Sequence, residues 1–445
     1  MIKCEEIKDF SSISKLENLL ILEIIDCLIS DISFLKGTKN IKNLILEGTF
    51  IDIKDFTFLS NLETLEYLSI EFRSSVTDIS FLSKNKNIKE LKITFCENIV
   101  DYSFVSTLKK LEFLFLKFSH ISDISFMKKA KNIKKLTLID CGKIKDFSFI
   151  SYLENLESLY ITRMYEDLNN FSDISFLEKT QNLRELNLRI CDKIKNFSYI
   201  KNLKKLEKLD LSRTEITELS ILEKLQNIKE LNLTGFWFND IKDYSYIKNL
   251  EKLETLNILS QINDISFLEN TINIKKLNLT RCSKIKDFSY IKNAEKLEDL
   301  DLSEINITDI SFLVKNKWLK KLNLSSCHNI KDFSYIKNCK KLEILILYDT
   351  NVDEISFLEN NKNITFLDLS DAKNINNYSY IKNCEKLDIL VVNNSEIDDI
   401  SFLEKNKKIK KLFLNRCSSI KDFSYIKYLE KLETLYLRDT NIFDI

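Results

Sequence analysis

Ile274-Lys-Lys-Leu-Asn-Leu-Thr-Arg-Cys-Ser-Lys-Ile-Lys-Asp-Phe-Ser-Tyr-Ile291 returns nearly unchanged as Leu319-Lys-Lys-Leu-Asn-Leu-Ser-Ser-Cys-His-Asn-Ile-Lys-Asp-Phe-Ser-Tyr-Ile336. The same spacing begins at Leu19, Ile41, Leu65, Ile88, Leu111, Ile133, Leu156, Leu183, Leu206, Ile228, Leu253, Ile274, Leu297, Leu319, Leu342, Ile364, Leu387 and Ile409, and again, cut short, at Leu432. A unit of about 22 residues is too small to bury its own apolar face, so successive units must stack into a solenoid. The spacing divides the chain into a partial unit over 1–18, eighteen full repeats over 19–431 and a truncated repeat over 432–445. Length alone would suggest two or three domains, but the unbroken period argues for one elongated domain, 1–445.

Within a unit, positions 1, 4 and 6 are apolar, as in Leu297, Leu300 and Leu302. Side chains alternate along a strand, so positions 4 and 6 share the buried face and positions 3, 5 and 7 the open one. Each repeat therefore adds one short parallel strand. Position 9 is Cys in one class (Cys27, Cys96, Cys141, Cys191, Cys282, Cys327, Cys417) and often Thr in the other (Thr49, Thr214, Thr350, Thr440), a small residue able to turn inward at the bend. Next comes Asp-Ile-Ser-Phe-Leu or Asp-Phe-Ser-Tyr-Ile, whose Ser reads as a helix N-cap; Ser175-Phe-Leu-Glu178 and Ser266-Phe-Leu-Glu269 fit a capping box. Asn before the next unit, at Asn132, Asn182, Asn227, Asn273 and Asn363, suits a left-handed helix stop. Units of 22 and 23 residues alternate over most of the chain, giving a dyad of 45.

The pattern Leu-x-x-Leu-x-Leu-x-x-(Cys/Thr/Asn)-x-Ile is similar to the leucine-rich repeat consensus. The 22-residue length with Asp-Ile-x-x-Leu looks most like the internalin-type and protein phosphatase regulatory-subunit type of that family. The resemblance covers essentially the whole chain. It implies an α/β solenoid, a curved horseshoe with a parallel β-sheet on the concave face and short helices on the convex face. It also implies binding of other proteins as the general use.

Charge and cysteine content narrow the function. Lys plus Arg equals Asp plus Glu at 67 each, so no global field steers nucleic acid or an anionic membrane. Met1-Ile-Lys-Cys is already repeat-like and does not read as an export signal, and the apolar run Leu19–Leu22 is far too short to span a bilayer. With ten cysteines, this points to a reducing cytoplasm. Position-9 cysteines of one class lie two repeats apart, about 10 Å, beyond the roughly 7 Å that a disulfide tolerates. No Cys-x-x-Cys supports zinc, so the cysteines read as a packing ladder. His120 and His328 stand nine repeats apart, on the order of 40 Å, and cannot share a metal or a substrate. The Asp-x-Ser element recurs in nearly every unit, as a cap must and a unique active site would not. No catalytic residue and no cofactor is expected; the chain reads as a non-enzyme.

Candidate binding residues follow from what the open face carries. All eight arginines fall near the strands: Arg189 and Arg438 at position 7; Arg163, Arg213, Arg281 and Arg416 at position 8; Arg73 at 9; Arg184 at 2. Lysines crowd the return segments instead. Arg is enriched and Lys depleted at interfaces, which marks the strand edge as a binding surface. Tyr67, Phe113, Phe115 and Tyr160 face outward in the early repeats, polar Asn and Asp dominate position 5 from Asn187 to Asn323, and apolar residues return with Ile344, Ile346, Tyr348, Phe366, Ile389, Val391, Phe413 and Tyr436. Aromatic residues with Arg are typical hot spots. The 27-residue unit at Leu156 and the 25-residue unit at Ile228 carry insertions on one edge, with Trp237 the preferred single anchor.

These features predict a protein-interaction module that binds a protein partner on the concave face and the insertion edge. Docking an enzyme such as a phosphatase is the regulatory alternative. A third expectation, from the lack of polar caps at either terminus, is end-to-end self-association into a structural array.

Overall fold

The computed structural model describes residues 9–27, 29–48, 53, 55–71, 76–163, 171–235, 241–259 and 261–441. It divides into two compact units, Met1–Ile216 and Thr217–Ile445.

The first unit holds β1 (Ile21–Ile25), β2 (Asn43–Glu47), β3 (Tyr67–Glu71), β4 (Glu90–Cys96), β5 (Phe113–Ser119), β6 (Lys135–Ile139), β7 (Ser158–Thr162), β8 (Glu185–Asn187) and β9 (Lys208–Asp210). Each strand pairs in parallel with the next, and equal repeat positions face each other: Leu91 with Leu114, Leu114 with Leu136. The second unit repeats this with β10 (Glu230–Thr234), β11 (Thr255–Leu259), β12 (Lys276–Asn278), β13 (Asp299–Asp301), β14 (Lys321–Asn323), β15 (Ile344–Ile346), β16 (Phe366–Asp368), β17 (Ile389–Val391), β18 (Lys411–Phe413) and β19 (Thr434–Tyr436). Period 2 does what it must. Leu300 and Leu302, at positions 4 and 6, are fully buried, while positions 3 and 5 of the same strand stay half-exposed.

The return segments are 3-10 helices of four to six residues, tight enough to close a coil this short. Their caps differ from the sequence expectation. Ser175 is the first helical residue, not the cap, and the capping box with Glu178 does not form. Asp173, two residues earlier, is the acceptor: Ser175 donates its N–H to Oδ1 at 2.8 Å and its hydroxyl to Oδ2 at 3.0 Å. A two-residue Asx link fits the short turn, and Asp31, Asp264, Asp309 and Asp399 repeat it.

The pre-strand asparagines are also reassigned. None of Asn132, Asn182, Asn227, Asn273 and Asn363 is among the positive-φ residues. Instead, Nδ2 of Asn132, Asn182, Asn273 and Asn363 donates across to a carbonyl of the preceding coil, at 2.6 to 2.9 Å. In turn Lys205, Lys252, Lys296 and Lys386 donate Nζ to Oδ1 of Asn182, Asn227, Asn273 and Asn363 from the following coil. One Asn thus ties three coils.

The left-handed residue is position 8, just after the strand. Asp26, Phe95, Phe118, Asp140, Ile190, Arg213, Arg281, Glu304, Ser326, Asp349, Asp371, Asn394, Arg416 and Asp439 all have φ between 52° and 61°. L-residues pay about 1–2 kcal/mol there, least when a short polar side chain bonds locally, which accounts for the frequency of Asp. Gly48 occupies the same position at φ 132°, and a Cβ on it would lie 2.5 Å from the backbone nitrogen of Asp26.

Candidate protein-binding face

The open face of each sheet is built from positions 3, 5 and 7. In the first unit Tyr67 (β3), Lys92 (β4), Phe113 and Phe115 (β5) converge, because register sets Tyr67, Glu90 and Phe113 in one row and Ser69, Lys92, Phe115, Thr137 and Tyr160 in the next. The Lys92 ammonium lies 5.1 Å from the Tyr67 ring centre and 5.8 Å from that of Phe113. Phe113 and Phe115 meet edge to face at 6.4 Å. Tyr160 is half-buried, with Thr137 and Asn187 as its partners in register.

In the second unit the apolar residues form one field. Ile344, Phe366 and Ile389 are successive partners at position 3; Ile346, Asp368, Val391, Phe413 and Tyr436 are successive partners at position 5. Phe413 and Tyr436 stack nearly parallel, 4.8 Å between centres. Tyr436 on β19 and Tyr348 in the turn after β15 are 48% and 42% exposed. Position 5 is polar from Asn187 to Asn323, and several of these residues bond one another: Asn187 donates to Asp210 in the first unit, and Asn323 and Thr280 donate to Asp301 in the second.

The arginines divide. Arg163 is 5% exposed and pairs with Asp192 at 3.4 Å, so it belongs to the packing and not to an accessible surface. Arg213, Arg281 and Arg416 occupy left-handed position 8. Arg281 Nε reaches Glu304 at 2.7 Å, and Arg416 and Arg438 both reach Asp439 at 3.6 Å. Arg189 is exposed at position 7. Trp237 and Arg73 lie outside the described residues, as do 164–170 and 236–240 of the two insertions.

A position-specific charge pattern was missed by counting total charge. Position 2 alternates in sign: Lys42, Glu66, Lys89, Glu112 and Lys134 in the first unit, with Arg184 and Glu207 further on; Glu254, Lys275, Glu298 and Lys320 in the second. Pairs close at 2.6 Å for Lys89–Glu66 and Arg184–Glu207, 2.7 Å for Lys320–Glu298 and 2.9 Å for Lys275–Glu254. Hydrogen bonding from Lys89 and Lys320, and their charge, hold the Glu66 and Glu298 carboxyls below their ordinary range.

Among the described residues the cysteines are buried away from either face. Cys327, Cys339 and Cys384 are buried, and burial pushes their thiols up to about 11, 12 and 12. Cys327 and Cys417 donate Sγ to carbonyls of the preceding repeat at 3.0 Å. Among the described residues no group of three or more His, Cys, Asp or Glu is placed to hold a metal ion.

Solved structures share this architecture. A leucine-rich repeat protein of Leptospira interrogans is 20% identical, with a TM-score of 0.63 over 86% of this chain and 98% of its own. The fold is the leucine-rich repeat solenoid. Two more leucine-rich repeat likenesses are the mouse RP105/MD-1 complex (18% identity, TM-score 0.60, 98% of this chain and 85% of that one) and the TLR13–ssRNA13 complex (18%, 0.57, 96% and 79%). No protein-family model matches the sequence, and no curated protein matches it.

Proposed function

We propose that this leucine-rich repeat chain is a non-catalytic module that binds a protein partner on the open sheet face. One observation carries the reading: Ile344, Ile346, Phe366, Ile389, Val391, Phe413 and Tyr436 stand side by side on a solvent-facing sheet. An apolar patch of that extent marks a contact site on a folded protein. The fold accommodates more than one ligand class, since RP105 is complexed with MD-1 and TLR13 with ssRNA. Charge favours a protein here: the chain is neutral overall, and Arg281, Arg416 and Arg438 already face carboxylates of their own chain. Nine buried thiols among the described residues support a reducing compartment, hence the cytoplasm.

The test is quantitative capture from native lysate by the full chain, by Phe115→Ala/Trp237→Ala and by Ile389→Ser/Phe413→Ser. The last variant should lose its specific partner at least about tenfold with its circular dichroism unchanged. Undiminished capture by both variants, with loss on replacing the return-side Lys292, Lys337 and Lys382, would put the partner on the other side.

A further inference from the structure

The second unit's apolar field has one carboxylate in its middle. Asp368 has Ile346 and Val391 as its Cα partners, and Phe366 precedes it by two residues on the same face, between Ile344 and Ile389. Ser370 and Tyr348 stand toward the strand end.

Position 5 carries other acids in each unit, and the contrast is informative. Asp210 accepts from Asn187 and from Ser212, and Asp301 from Asn323, Thr280 and Ser303. Flanking amides and hydroxyls satisfy them. Asp368 stands between aliphatic side chains, and among the described residues its side-chain hydrogen bonding comes from Ser370, whose N–H lies 2.9 Å from Oδ1. No cation pairs with Asp368 among the described residues. Desolvation pushes its carboxyl up even against those bonds, and the charge of Asp371 adds to the shift.

A partner that covers Phe366, Ile389 and Phe413 removes the remaining water from Asp368. A buried carboxylate without a counter-charge is costly, and a cation supplied at that moment converts the cost into selectivity. Arginine fits best: its guanidinium is weakly hydrated, bonds a carboxylate through two parallel donors and stacks on an aromatic ring such as Phe366.

We propose that the sheet face over β15–β19 docks an extended segment of a partner protein that places one arginine or lysine on Asp368, between apolar side chains lying over Phe366–Ile389 and Phe413–Tyr436. This rests on the protein-docking reading of the same face, and it fixes the chemistry of what docks.

The experiment uses the full chain and labelled synthetic peptides Leu-Ser-Phe-Ser-X-Ser-Leu-Ser-Trp, with X as Arg, Lys, Gln or Glu, read by fluorescence polarisation. The expected order is Arg and Lys above Gln, with Arg at least about tenfold tighter than Glu. Asp368→Asn, isosteric and able to keep the Ser370 bond, should bring the Arg and Glu peptides to within about twofold of each other. Phe413→Ser should weaken all four peptides while leaving their ranking intact. Equal binding of the Arg and Glu peptides, or an Arg preference that survives Asp368→Asn, overturns the proposal while Phe413→Ser still reports on docking. Binding that Phe413→Ser leaves untouched, or no binding of any peptide at about 1 mM, overturns the docking reading with it. A concentration-dependent dimer abolished by Phe413→Ser would seat a second copy on the face and overturn the proposal too.

Discussion

Asp287, Asp332 and Asp422 each sit two residues before a serine whose hydroxyl and backbone N–H hold the carboxyl below its ordinary range. Asp31, Asp146 and Asp243 do the same. A folded-state pKa below the unfolded value of about 3.9 stabilises the fold above that value, and the contribution is lost as pH falls through the folded value. Acid unfolding should therefore steepen below about pH 4. Asn already takes the acceptor role at Asn196 and Asn377, where Ser198 and Ser379 donate at 3.0 and 2.9 Å. The triple variant Asp287→Asn/Asp332→Asn/Asp422→Asn should keep the turns while losing part of the acid dependence of its melting temperature; an unchanged pH profile would contradict this. Glycine is needed at few places, and Gly48 is one. Gly48→Ala meets both a φ of 132° and the Asp26 backbone, so urea denaturation should show a loss of more than about 1 kcal/mol, whereas unchanged stability would contradict the geometry.

At the scale of the element, strand polarity, register and the buried Leu rows were legible because period 2 and the 22-residue spacing leave a single way to stack. The turn chemistry was less so. Asp-x-Ser-x-x-Glu satisfies the capping-box pattern as written, and only a 3-10 segment too short for that box turns Asp into the acceptor. The pre-strand Asn residues were misread for a related reason: their partners lie 22 to 28 residues away, invisible to local reasoning. The alternating position-2 charges were legible but needed the residues sorted by repeat position. Each exposed pair contributes little, yet alternation keeps like charges from becoming neighbours. Glu298→Lys would set three lysines in succession with Lys275 and Lys320. It should lower the melting temperature, and the deficit should shrink as salt rises from about 0.1 M to 1 M, where screening shortens to a few ångströms. A deficit indifferent to salt would mean that the side chain acts through packing instead.

At the scale of the whole molecule, repetition hides function: whatever recurs in every coil serves the coil, and the binding site must lie in what does not recur. Sorting by position placed Phe413, Tyr436 and their neighbours on the open face from sequence alone, where outward-facing apolar residues contradict the polar expectation. It did not foresee how the arginines pair. Arg163 proves to be packed away, and Arg281, Arg416 and Arg438 are turned toward acids of their own chain, pairings that depend on coil-to-coil distance. It passed over Asp368, which looks like one more polar residue until its two aliphatic neighbours in register are known. The claim that matters most is that the open face of the second unit is where another protein sits. Its most direct test is a photo-crosslinking amino acid placed in living cells at Phe413 and, as a control, at the return-side Lys337. A discrete crosslinked partner is expected from position 413 and none from 337; crosslinks from 337 alone would contradict docking on this face.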